Sequence, residues 1–486
     1  MQRLNQASLG KLPATVKVPG YVREQTRIGI VHLGPGAFHR AHQAVYTDDA
    51  LAFGGHWGIC AVSMRSRGVK ENLAEQDNLY TLAVIDNDSR NQVIGAIKEV
   101  LVLGDDREQV MTRLCSPETH IISLTITEKG YCLNGDGGLD QTHADIQQDL
   151  ANPDAPVSAV GLIVLTLQRR FAAGIGELTV LSCDNLADNG HKLARAVYEY
   201  AQLLDAALAE QIRAEVRFPC SMVDSITPAT DDALKVQVSE ALGVQDNWPI
   251  QRESFTQWVI ENNFSGPRPA WEQVGVTFTD DVSGYEKAKL RILNGSHSSL
   301  AYLGILCGRE TVFEGISDPD LAAFIDALLT QEVIPSLNPP AELDLVEYKN
   351  AILARYRNPH IRHLLAQIAW DGSQKLPFRL LGTVADNLAA GRSVKLLSVG
   401  VAAWFHFLRF KLADGSELVD PLANVLLEAA AKCQGGAEDV AHFLALGQVF
   451  SKSLADNPNF VSALKTAYVQ LATLQETGAH SLTELL

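Results

Sequence analysis

The order of apolar and polar positions changes character partway along this chain of 486 residues. In the first half, short β-rich runs alternate with helical stretches, the pattern of a parallel sheet covered by helices. Four runs read as strands: RIGIVHLG from Arg27, WGICAVSM from Trp57, HIISLTIT from His120 and LTVLSCDN from Leu178. Each ends in polar residues. In an open α/β sheet ligands sit beyond the carboxyl ends of the strands, so GPGAFHR, TEKGY and SCDN are expected to converge on one crevice. From about Tyr285 the strand-like runs fade, and stretches with helical apolar spacing such as DLAAFIDALLTQEVIPSL and VSALKTAYVQLATL take over. The fold expected is α/β: an N-terminal Rossmann-like dinucleotide-binding domain over residues 1–283, then a mostly α-helical C-terminal domain over 284–486, with the active site between them. The division falls near TDDVSGYEK, and no internal repeat of fixed period is present.

Composition narrows the classes of partner. With 47% hydrophobic and 20% charged residues the chain is of ordinary globular type. A formal net charge of −17 argues against nucleic acid or an anionic membrane as partner, because both need clustered Lys and Arg. The seven cysteines are odd in number and never form C-x-x-C, which suits free thiols in a reducing cytosol and gives no structural zinc knuckle. The first twenty residues lack the apolar core of a secretory signal. A cytoplasmic protein is expected. LLSVGVAAWFHFLRF, shorter than a membrane span and carrying His406 and Arg409, reads as a core helix.

Two segments carry candidate chemistry. GIVHLGPGAFHRAH sets Gly34 and Gly36 between a buried strand and a helical run, half of a dinucleotide fingerprint; the third glycine is replaced by His39. Taken alone this is equally a plain strand-to-helix turn. After the second strand, MRSRG offers no Asp or Glu for ribose hydroxyls. Arg65 and Arg67 are either acceptors of a 2′-phosphate or solvated loop charges, so these residues leave NAD and NADP both open. His39 and His42 read as supports of the loop.

The second segment is EKAKLRILNGSH. At about 100° per residue, Lys289, His297 and Asn294 fall at roughly 0°, 80° and 140°, one sector shared with Leu290, Leu293, Leu300 and Ala301. A partly dry setting favours neutral lysine, so Lys289 is a candidate general base for alcohol oxidation, or general acid for ketone reduction. Asn294 and His297 are candidates to hold the reacting oxygen. A solvated helix face is the plain alternative for any one of them. Tyr285 and Lys289 also form Y-x-x-x-K, but without the glycine pattern and N-terminal position that go with that pair in short-chain dehydrogenases. No Cys and His cluster has zinc-ligand spacing.

Seven runs, GPGAFHRAHQA, SLTITEKGYC, SCDNLADNGH, FPCSMVD, KLRILNGSH, NPHIRH and DGSQKLP, resemble the mannitol dehydrogenase family of long-chain polyol dehydrogenases, and within it the fructuronate reductases (D-mannonate oxidoreductases). The resemblance runs from about Ile28 almost to the C-terminus. It implies a metal-independent oxidoreductase with Lys289 as acid/base and Asn294, His297 and Asn185 around the substrate oxygen, with Asp224 lining the site. Mannitol dehydrogenases read Glu-Gly-Gly-Tyr where Glu128, Lys129, Gly130 and Tyr131 stand and lack DGSQKLP; tagaturonate reductases differ at FHRAH. Lys129 and Lys375, with Arg379, are therefore expected to bind a hexuronate carboxylate. The resemblance implies NAD, with some tolerance of NADPH because the ribose carboxylate is missing. Coenzyme contacts are expected from Gly34, Gly36, Ala37, Phe38, Arg65 and Thr127, and no metal site is expected. Partners are a small hexuronate or aldonate and, at most, further copies in a small homo-oligomer. A polyol or ketose dehydrogenase, a tagaturonate reductase and a non-catalytic NADH or sugar-acid sensor are the alternatives, the last opposed by the intact proton-transfer set.

Overall fold

All four expected strands form, and two more join them in one sheet. In the computed structural model, which describes residues 2–86, 89–472, 474 and 482, the strands are β1 (Ile28–Leu33), β2 (Gly58–Ser63), β3 (Ile97–Val102), β4 (Ile121–Leu124), β5 (Leu178–Ser182) and β6 (Val216–Arg217). They run parallel in the order β3-β2-β1-β4-β5-β6, the doubly wound order of a Rossmann sheet. Both faces are covered. Val31, Leu33, Cys60, Val62, Ile122 and Val180 enter one apolar cluster with the helices Ala159–Ala172 and Asn189–Leu204. Ile30, Ile59, Ala61, Ile121 and Leu181 enter the other, with Ala44, Trp258 and Trp271. Alternation along each strand thus loads two cores at once, which is why the strands read as continuous apolar runs. Two three-stranded sheets not apparent from the sequence flank this core: Ile250–Glu253, Tyr80–Ile85 and Arg90–Ile94; and Thr277–Thr279, Gln257–Glu261 and Ser221–Asp224.

The chain separates into two units, Met1–Ser283 and Gly284–Leu486. Among its described residues the second unit is built of helices. Its axis is Lys395–Asp414, which packs against Gly295–Leu306 and Pro458–Leu471. This helix has 20 residues, longer than the apolar run suggested, and by length and composition could cross a membrane, but 72% of its apolar window is buried inside the protein. It is a core helix. Phe405 stacks on Phe443 at 4.2 Å, and His406 Nε2 donates to the Tyr468 carbonyl at 2.8 Å, which accounts for an imidazole in an apolar run. The start of the helix is closed by buried Glu332, whose carboxylate accepts the Leu396 and Leu397 N–H groups at 3.1 and 2.8 Å and the Ser393 hydroxyl at 2.6 Å.

Glu332→Ala strands those two N–H groups in the interior and is expected to cost about 2 kcal/mol. The measurement is the thermal unfolding midpoint followed by circular dichroism; an unchanged midpoint contradicts this account of the core helix.

Candidate active site

The glycine loop is shaped by β4 beneath it. Gly34 sits at φ +86°, and a Cβ there would run into the Thr125 carbonyl, so only glycine fits. Gly36 differs: its Cβ position meets only the Gly34 oxygen at 3.9 Å, leaving open space above the backbone. The helix that follows, Ala37–Ala41, is fastened through His39, which stacks on His32 of β1 at 3.4 Å. His32 reaches the Ser123 and Thr125 hydroxyls at 2.8 Å each. Burial lowers the pKa of His32 to about 3 and that of His39 well below its ordinary value, so both imidazoles are neutral supports. His42 Nε2 donates to the Gln257 carbonyl at 2.9 Å.

Gly34, Gly36, Ala37, Arg65, Thr127 and Lys129 line one cavity of about 820 Å³ in the first unit. Its size, the loop at its edge and the space over Gly36 fit a dinucleotide with its pyrophosphate against the backbone. Phe38 is not in the lining; its ring stacks on His42 at 4.8 Å and packs toward the core. The two arginines after β2 are both engaged. Arg67 grips Asp105 through two bonds of 2.6 Å and does not line the cavity. Arg65 lines it but pairs with Asp145 at 2.6 Å. A carboxylate does stand in the cavity wall, that of Asp145 from the helix Ala144–Ala151.

At the carboxyl ends of β4 and β5 the organising group is Asp184, which sequence reading passed over in favour of its neighbour. Its carboxylate accepts the Ile126 and Thr127 N–H groups at 3.0 and 2.9 Å and the Tyr131 hydroxyl at 2.6 Å. Burial raises the Asp184 pKa against the pull of those donors. Thr127 is held at φ +65°, ψ 161°, a conformation costly for a β-branched residue. Asn185 follows, exposed, and Asn189 next bonds the Asp184 and Ser221 carbonyls at 3.0 and 2.8 Å. Ser221 opens the strand that ends at buried Asp224.

In the second unit, the candidate trio is not on a regular helix. Lys289–Asn294 forms a wide π turn, with the Gly295 N–H bonded to the Leu290 carbonyl five residues back. The 100° wheel therefore misplaces Asn294: a turn of this width sets residue i+5 nearly over residue i, so Lys289 and Asn294 share a side more closely than the sequence suggested. Lys289 and Asn294 are half-buried and His297 is buried. Arg291 leaves the opposite side, bonding Ser336 Oγ at 3.0 Å and Asp386 at 2.5 Å. Tyr356 braces the turn, donating to the Leu293 carbonyl at 2.9 Å and stacking on His297 at 4.4 Å. His363, from the NPHIRH run, meets the same imidazole edge-on at 5.2 Å. Burial first, and then the neighbouring His363, Arg355 and Arg379, hold the His297 pKa well down, and its Nε2 has no hydrogen-bond partner among the described residues.

Arg379 joins this group, with Nη1 bonded to Ser298 Oγ at 3.1 Å and to the Asn294 carbonyl at 3.5 Å. Gly295 permits that approach, its Cβ position lying 2.8 Å from the Arg379 carbonyl. Lys375, four residues earlier, donates to the Ile368 carbonyl at 3.3 Å. Its pKa is lowered by burial and by Arg379, and that of Arg379 by burial. Tyr356 and Asp184 carried no signal beyond residue type. The chemistry available is a proton carrier beside hydrogen-bonding groups in the second unit, and a dinucleotide cavity in the first.

Comparison with known proteins agrees with both units. Residues 28–273 match the family model for the mannitol dehydrogenase Rossmann domain, and residues 281–472 that for the mannitol dehydrogenase C-terminal domain. The chain is 43% identical over 470 residues to the D-mannonate oxidoreductase of Escherichia coli K12, covering 95% of this chain and 96% of that one. Among solved structures it resembles the Pseudomonas fluorescens mannitol 2-dehydrogenase ternary complex with NAD and D-mannitol (TM-score 0.80, 38% identity, 100% and 99% of the two chains). It also resembles a substrate-free D-sorbitol dehydrogenase (TM-score 0.91, 32% identity, 99% and 100%). The chain belongs to the mannitol dehydrogenase family of oxidoreductases.

Proposed function

We propose that this oxidoreductase uses NAD to interconvert D-fructuronate and D-mannonate, with Lys289 as the acid/base and no metal ion in the reaction. The observation that carries the substrate class is the pair Lys375 and Arg379. Two cations four residues apart, neither ion-paired to a described carboxylate, stand beside the candidate catalytic turn. Burial disfavours both charges and Arg379 further disfavours that of Lys375, and a substrate carboxylate would relieve both effects. The similarity to a D-mannonate oxidoreductase supports the same reading.

Bound NADH supplies the hydride for the C5 keto carbon. Lys289 delivers the proton to the oxygen, and Asn294, His297 and Asn185 hold that oxygen while charge develops on it. His297 is neutral and its Nε2 has no partner among the described residues, which suits a hydrogen-bonding group rather than a proton store. In the coenzyme cavity, Gly34 and Gly36 present backbone to the pyrophosphate, and the engagement of Arg67 by Asp105 and of Arg65 by Asp145 favours NAD over NADP. Lys129 lines this cavity, and its assignment to the substrate carboxylate rests on the resemblance of its loop to that of fructuronate reductases. Oxidation of a polyol such as mannitol is the second reading, favoured by the likeness to a mannitol 2-dehydrogenase.

The deciding assay is the initial rate of NADH oxidation with D-fructuronate, D-fructose and D-tagaturonate in parallel. Preference for fructuronate is expected; preference for fructose replaces the reading with the polyol one. Lys289→Ala is expected to lower kcat by about 100-fold or more while NADH binding, read by fluorescence, stays near the parent value. Retained turnover removes Lys289 from the chemistry. Lys375→Ala and Lys129→Gly are each expected to raise KM for fructuronate by about tenfold, the loss of one charge-assisted hydrogen bond, with little change for fructose. Equal effects on both substrates count against carboxylate recognition.

A further inference from the structure

The motifs SCDNLADNGH and FPCSMVD supply Asn185 and Asp224 to the reading above, yet they also bring together three side chains that the reaction does not use. His191 Nδ1 lies 2.6 Å from Asp188 Oδ1, and the Cys220 thiol donates to the same oxygen at 3.6 Å. One nitrogen, one oxygen and one sulfur atom, all within 4.8 Å of one another, therefore converge on a single point of the first unit. In a tetrahedral zinc site, bonds of 2.0–2.3 Å put an oxygen and a sulfur ligand about 3.6 Å apart, which is the separation already present between Asp188 and Cys220. The His191 contact has to open by less than about 1 Å to reach the matching separation, and both Asp188 and His191 are surface side chains able to do so.

The frame around the trio is rigid. Asp188 holds a left-handed conformation at φ +58° and leads directly into the helix Asn189–Leu204. Asn189 pairs with Ser221 in both directions, accepting its N–H at 2.9 Å and donating to its carbonyl at 2.8 Å. Gly190 lets the helix start lie against the Pro219 carbonyl, where a Cβ would collide. Cys220 is buried beside the start of that helix, and its thiol faces Asp188.

We propose that Asp188, His191 and Cys220 form a binding site for a borderline divalent cation of the zinc class, held by three protein ligands with one coordination position left to water. On binding, the Cys220 thiol gives up its proton to solvent, His191 coordinates through Nδ1 as a neutral imidazole carrying its proton on Nε2, and the metal takes the place of the contacts to Asp188 Oδ1. A mixed N, O, S ligand set selects zinc or cobalt over magnesium or calcium. The site is separate from the proposed reaction and does not depend on the substrate assignment. A second trio, Cys132, His143 and Asp145, is less suited: its carboxylate is paired with Arg65, and His143 Nδ1 already accepts the Asp145 N–H.

The test is titration of the full-length, chelator-stripped protein with Co²⁺, followed by optical absorption, with Zn²⁺ as competitor. The expected result is one equivalent bound, with a thiolate-to-cobalt charge-transfer band in the near ultraviolet and tetrahedral d–d bands, both removed by zinc. Cys220→Ser should abolish the charge-transfer band, and the surface change His191→Ala should weaken binding by about tenfold or more. Cys132→Ser should leave both unchanged. Absence of the band in the parent protein, its survival in Cys220→Ser, full affinity in His191→Ala, or its loss in Cys132→Ser each overturns the assignment.

Discussion

The Asp184 carboxylate is the constraint from which the crevice of the first unit is built. It ties the end of β5 to the turn after β4 by accepting two consecutive N–H groups and the Tyr131 hydroxyl. Those bonds hold Thr127 in a conformation that a β-branched residue does not adopt freely, and they orient the backbone that leads to Lys129. The same loop sets Asn185 at the exposed end of β5, while Asn189 carries the linkage on to the strand ending in Asp224. Partial burial makes each bond to the carboxylate count, because an unpaired charge there would be costly.

In the second unit the corresponding device is a defect in helical regularity. Widening the backbone over Lys289–Asn294 brings Lys289 and Asn294 toward one side and sends Arg291 to another, where Ser336 and Asp386 hold it. Tyr356 and the close packing of Gly295 against the Arg379 carbonyl stabilise a turn that a free helix would abandon. His297 is then buried against an aromatic ring, and burial, aided by His363 and two arginines nearby, keeps it neutral.

Charge is distributed against the average. The chain is strongly acidic overall, yet Lys375 and Arg379 stand together with no ion pair to a described carboxylate, Asp371 and Asp420 offsetting the charge of Lys375 only in part, and the arginines after β2 are each neutralised by an aspartate. Where cations are ion-paired the surface is structural; where they are only partly compensated beside polar, half-buried groups, an anionic ligand is the natural complement.

The spacing of apolar runs and glycines was enough to set the four strands, the change to helices after Tyr285 and the left-handed turn at Gly34, because strand length and a positive φ are local requirements. The runs around Lys289, Asn185 and Lys375 were also legible as chemistry, since polar residues inside apolar periodicity need a reason. What the sequence did not disclose depends on groups far apart in the chain. The π turn is held by Tyr356, more than sixty residues after Leu293; the carboxylate in the coenzyme cavity comes from Asp145, eighty residues from the Arg65 it meets; and Phe38, expected at the coenzyme, turns toward His42 and the core. A local pattern specifies which face a side chain takes, whereas its partner is chosen by packing of the whole domain, and only the tertiary structure decides that.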